Sequence, residues 1–114
     1  MDFEKFTDRA RGFVQAAQTI AMRESHQRLA PEHLLKALMD DGEGLAANLI
    51  ARAGGEADKV RKAVDAAVSK MPKVQGGQFH MDPGFARVVD QAEQLARKAG
   101  DSFVTVERVL VALA

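Results

Sequence analysis

Three histidines, His26, His33 and His80, carry the side chains best suited to holding a metal ion, but their spacing forms no ligand set. Glu32-His33 lacks the second histidine of the helical zinc-enzyme motif. No cysteine is present, which removes thiolate metal sites, disulfides and a thiol nucleophile together and makes the cytoplasm the expected compartment. There is no G-x-x-x-x-G-K-[ST] run, and Gly76-Gly77 is too short to cradle phosphates, so this segment is expected neither to hydrolyse a nucleotide nor to hold a cofactor. The residues predict no catalytic group and no metal site. Binding is the class of function that remains.

Charge narrows the partner. Lys plus Arg (16) equals Asp plus Glu (16), so no net field draws the chain to nucleic acid or to an anionic membrane. Lys59, Arg61, Lys62, Lys70 and Lys73 form a basic stretch, read as a solvated helix face. A helical nucleic-acid-binding domain is the alternative of a different class; it would need more basic excess and polar base-reading residues on an exposed helix. The start, Met1-Asp2-Phe3-Glu4-Lys5, has no apolar signal region, and the longest apolar stretch, Val109 to Ala114, is too short to span a bilayer. With 114 residues, 46% apolar and 28% charged, the chain fits one folded domain.

The elements that must position these residues are helices. Ala10, Phe13, Val14, Ala17, Ile20 and Ala21 follow helical spacing, with Thr7 as cap and Asp8 in the first turn, predicting a first helix to about Ser25. A second opens at Pro31, turns Leu34, Leu35 and Leu38 inward and ends at Asp41-Gly42. A third spans roughly 44–53 with Leu45, Leu49 and Ile50 inward, closed by Gly54-Gly55. A fourth runs from about Ala57 to Lys70 with Val60, Val64, Ala67 and Val68 on its stripe, and Pro72 stops it. Residues 71–81 read as a loop. Asp82-Pro83 then starts a fifth helix with Phe85, Val88, Val89, Ala92, Leu95, Ala96 and Ala99 inward, ending at Gly100, and Thr105 caps a sixth with Val109, Leu110 and Leu113 inward. Gln78 to Met81 and Phe103 to Val104 are too short to make a sheet.

Sliding the chain against itself by 75 positions places Ala17 on Ala92, Ala21 on Ala96, Glu32 on Glu107, Leu35 on Leu110, Ala37 on Ala112 and Leu38 on Leu113, without a gap. Phe13/Val88, Val14/Val89, Ile20/Leu95 and Leu34/Val109 keep apolar character, and Thr7 falls on Asp82, cap on cap. The expected fold is all-α: a pseudo-twofold double repeat of four-helix units within 1–114, repeat one at 1–75 and a partial repeat two at 76–114, cut after its second helix. The surface left beside Leu95, Val109 and Leu113 is expected to be covered by another copy, as a dimer or swapped assembly.

These features resemble the N-terminal double repeat of the Clp family of AAA+ protein unfoldases. The similarity rests on Phe6-Thr7, on Ala30-Pro31-Glu32-His33-Leu34-Leu35, on Gly42-Glu43-Gly44 and on the run from Gly100 to Glu107. Met71-Pro72-Lys73-Val74-Gln75-Gly76-Gly77 and Gly100-Asp101-x-Phe103 are most similar to the disaggregase branch, ClpB. Ala30 stands where relatives commonly place a Thr cap, implying a less tightly held start to the second helix.

The resemblance implies a substrate-recruiting module that captures unfolded or aggregated segments for threading by ATPase rings. Those rings would hold the ATP and Mg, in a hexameric parent served by a co-chaperone system. It marks Thr7, Asp101 and Glu107 as positions influencing substrate handling, and an apolar groove where the units meet, lined by Phe3, Phe6, Val14, Phe85 and Val89. In the protease-associated branch, ClpC, the alternative is adaptor docking or phosphoarginine binding, carried here by Thr7 with Glu32 and by Asp82 with Glu107. Asp82 would repel a phosphoryl group, so the second of these sites is expected to be poor. The residues themselves also support a plainer reading: Thr7 as a helix cap, Asp101 holding a loop amide and Glu107 favoured by the helix dipole.

Overall fold

A computed structural model describes residues 3–73 and 78–114. Six helices lie among them: α1 (Asp8–Arg23), α2 (Pro31–Met39), α3 (Leu45–Arg52), α4 (Ala57–Lys70), α5 (Pro83–Lys98) and α6 (Val106–Leu113). Their starts are chemical. The Thr7 hydroxyl accepts from the Ala10 amide at 3.1 Å, and the Asp82 carboxylate accepts from the Gly84 amide at 2.9 Å while meeting Arg28 at 2.7 Å. Each satisfies a first-turn N–H that the helix leaves unpaired.

The start of α2 is held better than Ala30 alone implies. His33, three residues on, turns its Nδ1 back to accept the Ala30 amide at 3.0 Å, supplying the reciprocal half of a capping box. The same ring meets His26 across 2.7 Å, and both histidines are buried.

The fold is helical as expected, but the segments read as too short for a sheet do make minimal pairings. Arg28–Leu29 (β1) pairs in parallel with His80–Met81 (β2), and Phe6 makes an isolated parallel bridge to Val104. Two residues per strand leave no periodicity to read, so these pairings are invisible until the helices place their ends side by side. They are also images of one another. Adding 75 to Leu29 and to Phe6 gives Val104 and Met81, so the repeat operation exchanges the two bridges. The Thr7 amide donates to Val104 O and the Asp82 amide to Leu29 O, both at 2.9 Å; these bonds are again exchanged. Helix ends follow suit, with His26 N–H on Ala21 O and Asp101 N–H on Ala96 O, each at 2.9 Å. The pseudo-twofold relation is therefore written in backbone hydrogen bonds as well as in side-chain types. Val74 to Gly77, and with them the expected repeat boundary at 75/76 and part of the 71–77 motif, lie outside the described residues, as do Met1 and Asp2.

One core serves both units. Phe6, Phe85, Leu29, Leu34, Leu38, Met39, Val104 and His33 are fully enclosed, with the α1 stripe Ala10, Val14, Ala17, Ile20, Ala21 and the α5 stripe Phe85, Val89, Ala92, Ala96 around them. The units meet chiefly through α2 against α5 and α6, and through α6 against α1 and α3. Lys36 on α2 ties α4 in place, reaching Asp65 at 2.8 Å and its neighbour Asp40 at 3.2 Å. The α3 stripe is corrected: only Ala46 is buried, while Leu45, Leu49 and Ile50 are half-buried. Val109, expected on a vacant surface, is buried inside this chain, with Leu95 and Leu113 half-buried.

Candidate functional site

Of the five side chains expected to line an open groove between the units, four do not. Phe6, Val14, Phe85 and Val89 are 2%, 3%, 0% and 2% exposed, so they are core. The bridges Phe6–Val104 and Leu29–Met81 close the seam over them. Phe3 is half-buried and packs edge-to-face on Phe6, with ring centroids 5.2 Å apart.

The polar positions divide. Thr7 is engaged as the α1 cap, and Asp82 is engaged by Gly84 and Arg28, which occupies the carboxylate that a guanidinium ligand would need. Asp101 accepts from Arg108 Nε at 3.0 Å and stays exposed in the loop before α6. Glu107 is exposed in the first turn of α6, and Glu32 is half-buried in the first turn of α2. No group of three or more metal-ligating side chains occurs among the described residues. No described helix is long and apolar enough to cross a membrane.

An open groove of about 780 Å³ lies one face away from the expected seam, along α1 and α2. Phe13, Ala16, Ile20 and Ala37 form its apolar floor. Arg9, Arg23, Asp40, Asp41 and Glu43 supply its charged lining, with Arg9 bound to Glu43 at 2.5 Å and to Asp41 at 3.7 Å. Asp40 is anchored by Lys36, whose pKa is raised by its hydrogen bond to Asp65 and further by Asp40. Gly12 and Ala16 keep the α1 side shallow beside Phe13, so a chain laid along the helix could reach the ring.

A smaller cleft, about 440 Å³, sits between α3 and α6, with Leu49, Ile50 and Ala53 facing Leu110, Val111 and Ala114 and Glu107 at its mouth. Neither opening is lined by a histidine. Each offers apolar contact with charges at its edge, which is the chemistry of peptide recognition.

Sequence reasoning placed Phe13 on the buried stripe and missed the groove. One signal was available: a Phe between Gly12 and Ala16, flanked by Arg9 and Thr19, stands at the edge of an apolar arc wider than a single contact face covers.

Comparison with known proteins adds three findings. Residues 5–114 match the family model described as the Clp repeat (R) N-terminal domain. The Chaperone protein ClpB of Rhodopseudomonas palustris is 57% identical over 116 residues, covering 99% of this chain and 13% of that protein. The chain thus spans about an eighth of the length of such relatives. The Hsp104 N-terminal domain of Candida albicans superimposes with a TM-score of 0.85 at 24% identity, over 96% of this chain and 73% of that one. A complex of the ClpV N-domain with a VipB peptide superimposes at 0.79 with 19% identity, over 96% and 68% respectively.

Proposed function

From the membership of this chain in the Clp repeat N-terminal domain family, as the N-terminal domain of a ClpB-type chaperone, we infer that it recruits unfolded or aggregated polypeptide segments for an ATP-dependent disaggregase. In this reading the chain captures and releases clients without covalent chemistry. ATP and Mg belong to ATPase modules elsewhere in a hexameric parent, and a co-chaperone system delivers the clients.

The observation that carries the reading is the α1–α2 groove: an apolar floor of Phe13, Ala16, Ile20 and Ala37 edged by charged side chains of both signs. Unfolded chains expose apolar side chains without a fixed sequence, so a shallow apolar floor binds many of them weakly. The peptide held by the structurally similar ClpV N-domain supports peptide docking as a use of this fold. Asp101 and Glu107, both exposed, extend the polar surface available to a client. The engaged states of Thr7 and Asp82 weigh against phosphoarginine as the ligand.

The test is titration with a reduced, alkylated and permanently unfolded protein, followed by fluorescence anisotropy. Phe13→Asp is expected to weaken binding tenfold or more, while Val111→Asp, on the other cleft, leaves it within twofold. Circular dichroism checks that both variants fold. Equal binding by Phe13→Asp and the parent sequence overturns the groove assignment. Binding of duplex DNA alone, with a steep salt dependence, overturns the chaperone reading itself.

A further inference from the structure

The buried histidine pair has a proton inventory that the fold fixes. The Ala30 amide donates to His33 Nδ1, so the proton of that neutral ring sits on Nε2 and points at His26 Nδ1, 2.7 Å away. His26 then carries its own proton on Nε2, which is buried and has no hydrogen-bond partner among the described residues. Every basic ring nitrogen is occupied. A third proton would set N–H against N–H, either between the rings or between His33 and Ala30.

Position 26 plus 75 is 101, and 33 plus 75 is 108. The image of this neutral pair in the second unit is the ion pair of Asp101 with Arg108, at 3.0 Å and with both side chains about one-third exposed. The two pairs occupy the same place. Each clamps the loop leaving a long helix onto the first turn of the next one, and each loop carries one of the parallel bridges, Leu29 with Met81 and Val104 with Phe6.

We propose an acid-sensitive clamp in the first unit only: the opened histidines take up protons that the closed His26–His33 pair excludes, so mild acidification favours opening of the β1–β2 seam, while the Phe6–Val104 seam stays closed. The surroundings give little relief to a new charge. Glu24 favours protonation of His26, but it already pairs with Arg23 at 3.9 Å and Lys73 at 3.8 Å. Lys73 and Arg28 oppose it, and Arg28 and His26 oppose protonation of His33. Burial lowers the pKa of both rings. His80 lies across the β1–β2 ladder from Arg28 and is exposed, so its own titration must be separated from that of the pair.

Amide hydrogen exchange, normalised to intrinsic rates at pH 7 and pH 5.5, reads the two seams separately. The His80 and Asp82 amides, which donate to Gln27 O and Leu29 O, are expected to lose at least tenfold protection relative to the Thr7 and Val104 amides. His26→Asn retains an uncharged acceptor for His33 and is expected to diminish that differential loss, while leaving His80 in place. An equal change at both seams, or a loss undiminished in His26→Asn, overturns the proposal. A nitrogen-15 spectrum of the parent protein at pH 7 showing His33 protonated on Nδ1 overturns it independently.

Discussion

Ser25 adopts φ +60, the only non-glycine residue with positive φ among those described, and its repeat partner Gly100 adopts φ +77. Both follow the last turn of a long helix and let the next amide reach back, His26 to Ala21 and Asp101 to Ala96. A serine in the left-handed region carries a Cβ penalty that glycine avoids, partly offset by glycine's freer unfolded chain. Ser25→Gly is expected to stabilise the fold by about 0.5–1 kcal/mol, seen as a higher urea midpoint. Unchanged or lower stability would show that the serine is not strained. At this scale the sequence was legible where one residue has one job, as in the Thr7 and Asp82 caps. It was not legible for Ser25, which reads as an ordinary helical polar residue, or for His26 and His33. Their seven-residue separation has meaning only once the chain doubles back between α1 and α2.

The helices were legible because each long one buries an apolar stripe at helical spacing between a capping residue and a stop. The short parallel pairings and the half-buried α3 were not, because both depend on which surface a neighbour leaves uncovered. The groove failed for the same reason: α1 has a wide apolar arc, and periodicity does not separate Val14, enclosed by the core, from Phe13 at its edge. The two helix starts give a matched comparison. Thr7→Ala removes a cap, expected to cost about 1 kcal/mol. Asp82→Ala removes the equivalent cap and the contact with Arg28, whose guanidinium is 45% exposed, so the additional loss is expected to stay below about 1 kcal/mol. Urea unfolding of both variants checks the order; Asp82→Ala proving the milder would show that the Arg28 contact contributes nothing.

For the molecule as a whole, the histidine pair sets the direction of pH dependence. Burial, then the neighbouring His26, lowers the His33 pKa from 6.5 to about 4. Between those values the unfolded chain binds more protons than the folded one, so stability is highest above pH 6.5 and declines as pH falls toward 4. The full decline from His33 is about 3 kcal/mol, about 2 of it reached by pH 5, and His26 acts in the same direction. Urea unfolding at pH 7 and pH 5 measures it, and a flat profile would contradict the burial of the pair.

The crossed bridges also bear on how such a chain is made. Phe6 leaves the ribosome before its partner Val104, which is added almost a hundred residues later, about 5–20 s at usual synthesis rates. Until then Phe6 lacks Val104, and Leu29 lacks its own partner Met81 for about half of that interval, so the nascent form of this domain is itself an unfinished apolar surface in need of protection.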